Sequence, residues 1–310
     1  MNAHQDIPGN PSTAKSSQVK LNDRTNGQDL RVLTEADWRF WVENGYVIIK
    51  SAVPREQAER LASYLWEYEG KDPDNMETWY QRQNVKMQMT ELNNTGMVEI
   101  YNHQYQWDNR QYPKIHQAFA DIWGTEKLWV TIDRANLNFP IRPDFDYKGF
   151  IHWDYDPETK PQNVQGVLAL ADQTDEEMGG FQCIPELYRT YDTWKLTQPD
   201  DRDHFKPNTE GFEKVKVKLE AGDLLIFNSL QPHGIRPNNS ENKVRIAQYI
   251  AMMPAQEEEK ELRQWRINSW QSRNAMEGYA FPGDPMAREK QNAVATLSPL
   301  GKKLLGLERW

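Results

Sequence analysis

The sequence predicts a mainly β fold with helical cover, a double-stranded β-helix of the jelly-roll, cupin-like kind. Three observations predict it. Helical patterns are confined to the N-terminal third and the C-terminal end, whereas many short strand patterns fill about 128–254. Turn signals separate those strand patterns: Pro140 and Pro143, Gly179-Gly180, Ala221-Gly222-Asp223 and Pro237-Asn238-Asn239. The run Lys214-Val-Lys-Val-Lys-Leu219 alternates strictly, as a strand with one buried and one wet face does.

Residues 1–32 carry Pro, Ser, Asn, Gln and Lys with few apolar positions and no period, which predicts a disordered tail. Thr34 followed by Asp37 starts a helix and Gly45 stops it. Tyr46–Ile49 reads as a short strand. Pro54 opens a second helix, with Ala58, Leu61, Leu65 and Tyr68 on one stripe and Gly70 at its end. Residues 71–111 are polar and aromatic without a clear period, and the stretch 99–107 within them reads as a loop region. Pro113 to Trp123 forms a third helix ended by Gly124. The expected strands are 128–139, 148–154, 164–172, 180–184, 214–219, 224–228 and 245–252. Beyond Ala255 the chain is charged and partly helical. Trp265, Arg266, Trp270 and Arg273 recur at helical spacings, as in a helix folded back on the barrel, a lid or an oligomer contact, with the arginines at the surface. Ser298-Pro299 starts a last short helix. Residues 33–310 therefore read as a single domain, with a jelly-roll core at about 128–254 and a helical extension over 255–310.

The formal net charge of −9 demotes nucleic-acid and anionic-membrane binders. No run approaches the roughly 20 apolar residues that span a bilayer, and the first residues lack a secretory signal, so a cytoplasmic protein is expected. The single cysteine, Cys183, excludes an internal disulfide framework and reads as a buried small hydrophobe. The 12 Trp, 13 Tyr and 10 Phe suit a core and also a pocket for an organic ligand.

The chemistry concentrates in Phe150-Ile-His-Trp-Asp-Tyr155. On a strand, His152 and Asp154 project from the same face and offer an imidazole nitrogen and a carboxylate oxygen to a divalent metal. His233, just after the strand 224–228, is the candidate third ligand. Two His and one carboxylate on one face of Fe(II) leave three positions open, enough for a bidentate 2-oxo acid and dioxygen. A planar Arg fork suits the far carboxylate of such an acid. Arg245, which alternates with Ala247 and Tyr249 on a strand, is preferred. Arg236, in a turn-rich loop that reads as wet, is its rival.

Three stretches resemble the phytanoyl-CoA dioxygenase family of Fe(II)/2-oxoglutarate oxygenases. They are Gly149-Phe-Ile-His-Trp-Asp154, Gly179-Gly-Phe-Gln-Cys-Ile-Pro185, and Ala221-Gly-Asp-Leu-Leu-Ile226 running through Pro232-His-Gly234 to the Arg245 strand. The motifs arrive in the family's order over roughly Leu33 to Pro254. The resemblance implies His152, Asp154 and His233 as iron ligands and catalytic residues, Arg245 on the far carboxylate of 2-oxoglutarate, and Asn138 as a further hydrogen-bonding group for that cosubstrate. It implies Fe(II), 2-oxoglutarate and O2 as the cofactor set, and release of succinate and CO2. The carboxylate at Asp154 implies hydroxylation or desaturation, because related halogenases carry a small residue there. The sequence departs from the family in a longer spacing from His233 to Arg245 and in Ile235, where a small hydroxyl residue is common.

His103, Trp107 and Trp153 are the candidate substrate contacts, the first two from the aromatic and amide-rich stretch 99–107. The expected partner is a small organic metabolite, with a homo-oligomer left open and neither nucleic acid nor membrane. A non-catalytic jelly-roll binding protein and a redox-neutral cupin-type metalloenzyme are the alternative readings.

Overall fold

The computed structural model describes residues 19–81, 96–142, 147–275 and 287–310. Thr34 and Asp37 exchange side-chain-to-backbone hydrogen bonds, which satisfies two free N–H groups at the start of α1 (Glu35–Asn44). Gly45, at φ 70°, ends α1 and turns the chain into β1 (Tyr46–Ile49). α2 (Arg55–Tyr68) buries Ala58, Leu61, Ala62, Leu65 and Trp66 along one face. After β2 (Met97–Val98) come α3 (Gln104–Arg110) and α4 (Pro113–Trp123), the latter burying Ile115, Ala118, Phe119 and Ile122.

α3 corrects the reading of 99–107 as a loop region. Its inward face is polar, so it leaves no hydrophobic period. Asn109 donates to Gln248 Oε1 at 2.8 Å, and Arg110 donates to the carbonyls of Tyr101 and Asp133 at 2.5 and 2.7 Å. The tail is also shorter than expected. Residues 1–18 lie outside the described residues, but 19–32 are packed. The Leu21 N–H donates to Gln162, the Trp41 indole donates to Asn22, and the N–H groups of Arg31, Val32 and Leu33 all donate to the Asp121 carboxylate. These bonds order a mostly polar segment whose few apolar residues, Val19, Leu21, Leu30 and Val32, pack against the core, which is why composition misses it.

The strands continue with β3 (Leu128–Val130), β4 (Ala135–Asn138), β5 (Val164–Ala169), β6 (Met178–Cys183), β7 (Val215–Lys216), β8 (Leu224–Asn228), β9 (His233–Asn238), β10 (Arg245–Tyr249) and β11 (Met252–Pro254). All described pairings are antiparallel. The large sheet runs β1-β8-β5-β10-β4-β2, the small one β7-β6-β9, and β11 pairs β3 separately. The two main sheets face each other without closing into a barrel. The expected strand 128–139 is thus two strands in different sheets. The expected strand 148–154 is not a strand but makes one antiparallel bridge, His152 to His233.

Alternation sorts the large sheet into two faces. Val164 and Leu168 of β5, Leu224 and Ile226 of β8, Ile246 of β10, and Ala135 and Leu137 of β4 join the core under the helices. Val167 and Ala169, Leu225 and Phe227, and Ala247 turn the other way, against Phe181 and Cys183 of β6. Gln165, Arg245, Asn136 and Asn138 have the same parity as this second set, so the inter-sheet face carries the polar groups. Cys183 is fully buried among these apolar side chains, and burial pushes its thiol up to about 12. On the helical face the backbone is close: a Cβ on Gly166 would lie 2.1 Å from the Ile250 carbonyl oxygen.

The chain also forms α5 (Pro185–Trp194), α6 (Lys260–Ser272) and α7 (Pro299–Leu305). Arg266 of α6, expected at the surface, is fully buried. Its guanidinium donates to the carbonyls of Val130, Leu304 and Leu305 at 2.7–3.0 Å and so ties the C-terminal helices to β3. No helix among the described residues is long and apolar enough to cross a membrane.

His103 is a structural residue in this fold. Its Nδ1 accepts from the Tyr105 N–H at the start of α3, and its ring stacks on Tyr64 at 3.8 Å. Burial lowers its pKa from 6.5 to about 4. Below pH 6.5 the unfolded chain takes up a proton there that the folded chain does not, so this position reduces stability as pH falls from 6.5 toward 4. The urea midpoint of His103→Gln should therefore fall less than that of wild type between pH 7 and pH 5. An equal fall in both proteins would contradict this assignment.

Candidate metal centre

The site is built on a backbone contact. His152 N–H donates to the His233 carbonyl at 2.8 Å, and His233 N–H donates to the His152 carbonyl at 3.0 Å. This reciprocal pair sets residue 152 beside the first residue of β9 with both rings on one side, 4.7 Å apart. Only glycine fits at 234, because a Cβ there would lie 1.9 Å from the Phe150 carbonyl oxygen. Gly149, at φ 70°, bends the chain into the same approach.

Asp154 completes the group. Its Oδ1 lies 3.2 Å from His152 Nε2 and its Oδ2 lies 3.3 Å from His233 Nε2. One donor atom from each of the three residues falls within 4.8 Å of the others. Burial pushes the Asp154 carboxyl up, but the hydrogen bonds and charge of His152 and His233 outweigh it and hold the group well below the usual carboxylate range. The His233 ring is oriented by the Gln231 carbonyl, 2.9 Å from Nδ1. A carbonyl can only accept, so Nδ1 carries a hydrogen, and Nε2 is the nitrogen turned toward the carboxylate. Both imidazoles turn Nε2 toward one carboxylate, and a metal bound there would take the place of the hydrogen bonds that join the three groups. The donor set therefore fits a divalent metal held by His152, Asp154 and His233. Phe181 and Phe227 flank the His233 ring at 5.7 and 4.5 Å. Phe150, half exposed, leans on His152 at 4.8 Å.

Gln165 was not among the sequence candidates. It lies on β5, and its Nε2 donates to Asp154 Oδ2 at 2.7 Å. The available signal was its parity: a glutamine in register with Val167 and Ala169 on a strand whose other face is apolar.

Arg245 is fully buried at the start of β10, opposite Asn138. Its Nη1 donates to Asn136 Oδ1 at 2.6 Å and its Nε to Gln173 Oε1 at 3.2 Å, while Nη2 is buried with no partner. Asn138 Oδ1 is a second buried atom without a partner. None of the described carboxylates forms an ion pair with Arg245, so its charge is balanced only by neutral amides. Such a guanidinium fits an anion. Arg236 is not in a wet loop as expected but buried on β9. It donates to the carbonyls of Gly179 and Phe181, and burial, then the charge of Arg245, lowers it to about 10. Gly180, at φ 105°, leaves its guanidinium room: a Cβ there would sit 3.0 Å from Nη2.

The other aromatic candidates are packed, not placed against the His–Asp–His group. Trp107 is fully buried and donates to Asn102 at 3.2 Å. Trp153 points away from its neighbours 152 and 154, donates to the Leu230 carbonyl at 2.9 Å and packs edge-on against Tyr191 and Trp194. Trp107 and Trp153 are thus buried in the core and His103 is a partly buried capping residue.

Because Gly234 sets the approach of 149–152 to β9, Gly234→Ala should displace His152 from His233. Co(II) affinity, measured by calorimetry, should fall at least about tenfold, the scale for disturbing the support of a metal ligand. Wild-type affinity in a folded Gly234→Ala protein would show that the approach does not position the site.

Comparison with known proteins agrees with this architecture. A protein named Ava biosynthesis cluster protein O, from Aspergillus versicolor, is 24% identical over 270 residues, which is 79% of this chain and 84% of that protein. A hypothetical protein of Escherichia coli superposes with a TM-score of 0.62 at 18% identity, covering 91% of this chain and 87% of that one. HygX of Streptomyces hygroscopicus, solved with nickel and 2-oxoglutarate, superposes with a TM-score of 0.51 at 14% identity, covering 72% and 88%. The sequence profile of the phytanoyl-CoA dioxygenase family matches residues 41–247, more than half of the sequence and the part that holds the His–Asp–His group, and the chain belongs to that family.

Proposed function

We propose that this chain is an Fe(II)- and 2-oxoglutarate-dependent oxygenase that hydroxylates or desaturates a small organic metabolite, acting as a single domain. The observation that carries the reading is the pairing of two features on the inter-sheet side of the fold. One is a His–Asp–His donor set within 4.8 Å, and the other a fully buried Arg245 whose Nη2 has no partner. Iron bound by His152, Asp154 and His233 supplies the activation of dioxygen, coupled to conversion of 2-oxoglutarate to succinate and CO2. The Asp154 carboxylate supports hydroxylation or desaturation over halogenation.

The chain's own groups do the positioning. Arg245 offers Nη2 to the far carboxylate of the cosubstrate, which gives the buried charge the anion it lacks. Asn138, across the ladder from Arg245, offers its side-chain N–H donors to the same ligand. Phe181 and Phe227 exclude water from the His233 side. Phe150 presents a half-exposed ring beside His152, an apolar surface for part of the substrate. A small-molecule substrate is in keeping with the family and with the biosynthesis-cluster name of the Aspergillus versicolor relative. Arg245 favours a 2-oxo acid over a redox-neutral metal reaction.

Anaerobic addition of Fe(II) and then 2-oxoglutarate to metal-free protein should produce the visible charge-transfer band of the chelate. His152→Ala, Asp154→Ala and His233→Ala should each lose the band and the oxygen-dependent release of succinate. Arg245→Leu should keep iron but need about 10–100-fold more 2-oxoglutarate, the scale of one charge-assisted hydrogen bond. Bound iron without the band would instead indicate a binding protein or a redox-neutral metalloenzyme.

A further inference from the structure

We propose that Gln165 is a positioning residue for the metal: its side-chain amide locks the Asp154 carboxylate in one orientation. This rests on the proposed metal-binding role of His152, Asp154 and His233. Gln165 is held by the central part of the large sheet, since β5 lies between β8 and β10 and Gln165 pairs with Phe227. Its parity turns the side chain toward the small sheet. There Nε2 donates to Asp154 Oδ2 at 2.7 Å, a charge-assisted distance. An ionised carboxylate only accepts, so the NH2 end of the amide must be the end that faces it.

Asp154 needs such a partner. It lies in the stretch after the His152 bridge, where the backbone is not held by a ladder; the adjoining described bond is from the Trp153 N–H to the Phe205 carbonyl. Nothing in the backbone therefore fixes the rotation of the Asp154 carboxylate about its own bond. The two imidazoles contact one oxygen each, at 3.2 and 3.3 Å, and do not distinguish the oxygens. Gln165 does, because it engages Oδ2 alone. By occupying a lone pair of that oxygen it disfavours chelation through both oxygens, which keeps coordination positions free for the cosubstrate and dioxygen. His233 is oriented in the parallel way by the Gln231 carbonyl. Two of the three ligands thus have their own fixed partner, one from the main chain and one from the neighbouring sheet.

The test uses the full-length, metal-free protein and Co(II) as probe, under anaerobic conditions. Gln165→Leu removes the donor at similar size. It should bind Co(II) about 10–100-fold more weakly than wild type, as loss of such a support does elsewhere. The visible Co(II) bands should change in intensity as the carboxylate changes its mode of binding, while the melting temperature of the metal-free protein stays within a few degrees. Gln165→Met, unbranched and equally long, should behave the same way and serves if the Leu variant does not fold. Wild-type affinity and an unchanged Co(II) spectrum in either folded variant would overturn the assignment of Gln165 and leave the metal site standing. Failure of wild type to bind Co(II) at all would overturn both.

Discussion

The reciprocal hydrogen bonds between the backbones of His152 and His233 are the constraint on which the site depends. The two residues are far apart in sequence and neither is held there by its own side chain. The bridge forms because Gly234 lets the Phe150 carbonyl come closer than any Cβ would allow, and because Gly149 adopts a left-handed bend. Once the backbones are joined, both imidazoles project from one side. The segment 149–152 does not extend the sheet; it makes a single bridge. A longer ladder would bury the donor atoms, whereas one bridge leaves His152 and Asp154 about a quarter exposed.

A second organising feature is the use of buried arginine. Arg110, Arg236 and Arg266 grip main-chain carbonyls and tie elements together. Arg245 instead rests on two side-chain amides, Asn136 and Gln173, and keeps a terminal nitrogen free. The first arrangement neutralises nothing and needs no ligand, because a main-chain carbonyl cannot turn away without disturbing the backbone. The second can accept an anion, because amide side chains can turn. Placing Arg236 beside Arg245 in a low-dielectric interior raises the positive potential there, and the proton affinity of Arg236 is lowered first by burial and then by this neighbour.

Much of the fold was legible because it follows local rules. The capping box at Thr34, the glycine stops at 45 and 124 and the apolar stripes of α2 and α4 are all short-range signals. Alternation carried the large sheet in the same way, since parity alone separates the helical face from the inter-sheet face. The misses in α3, the N-terminal segment and Arg266 share one physical cause, which is polar burial. α3 faces inward with Gln106, Asn109 and Arg110, Asp121 gathers three backbone N–H groups from the N-terminal segment, and Arg266 is enclosed by carbonyls. Hydrophobic periodicity is blind to each of these.

What the sequence determined by itself was the composition of the candidate site: a His-x-Asp pair, a later histidine and an arginine on a following strand. It also determined the parity that puts Asn136, Asn138, Gln165 and Arg245 on one face. Only the tertiary structure decided which of these groups meet. The closeness of His152 to His233, the engagement of Arg236 by β6 carbonyls with Arg245 left free, and the contact of Gln165 with Asp154 all depend on pairing between distant segments. So do the packing of Trp107 and Trp153 in the core and the stacking of His103 on Tyr64. Residue types and short spacings are local properties, whereas register and approach distance arise when backbones from distant parts of the chain satisfy one another's hydrogen bonds.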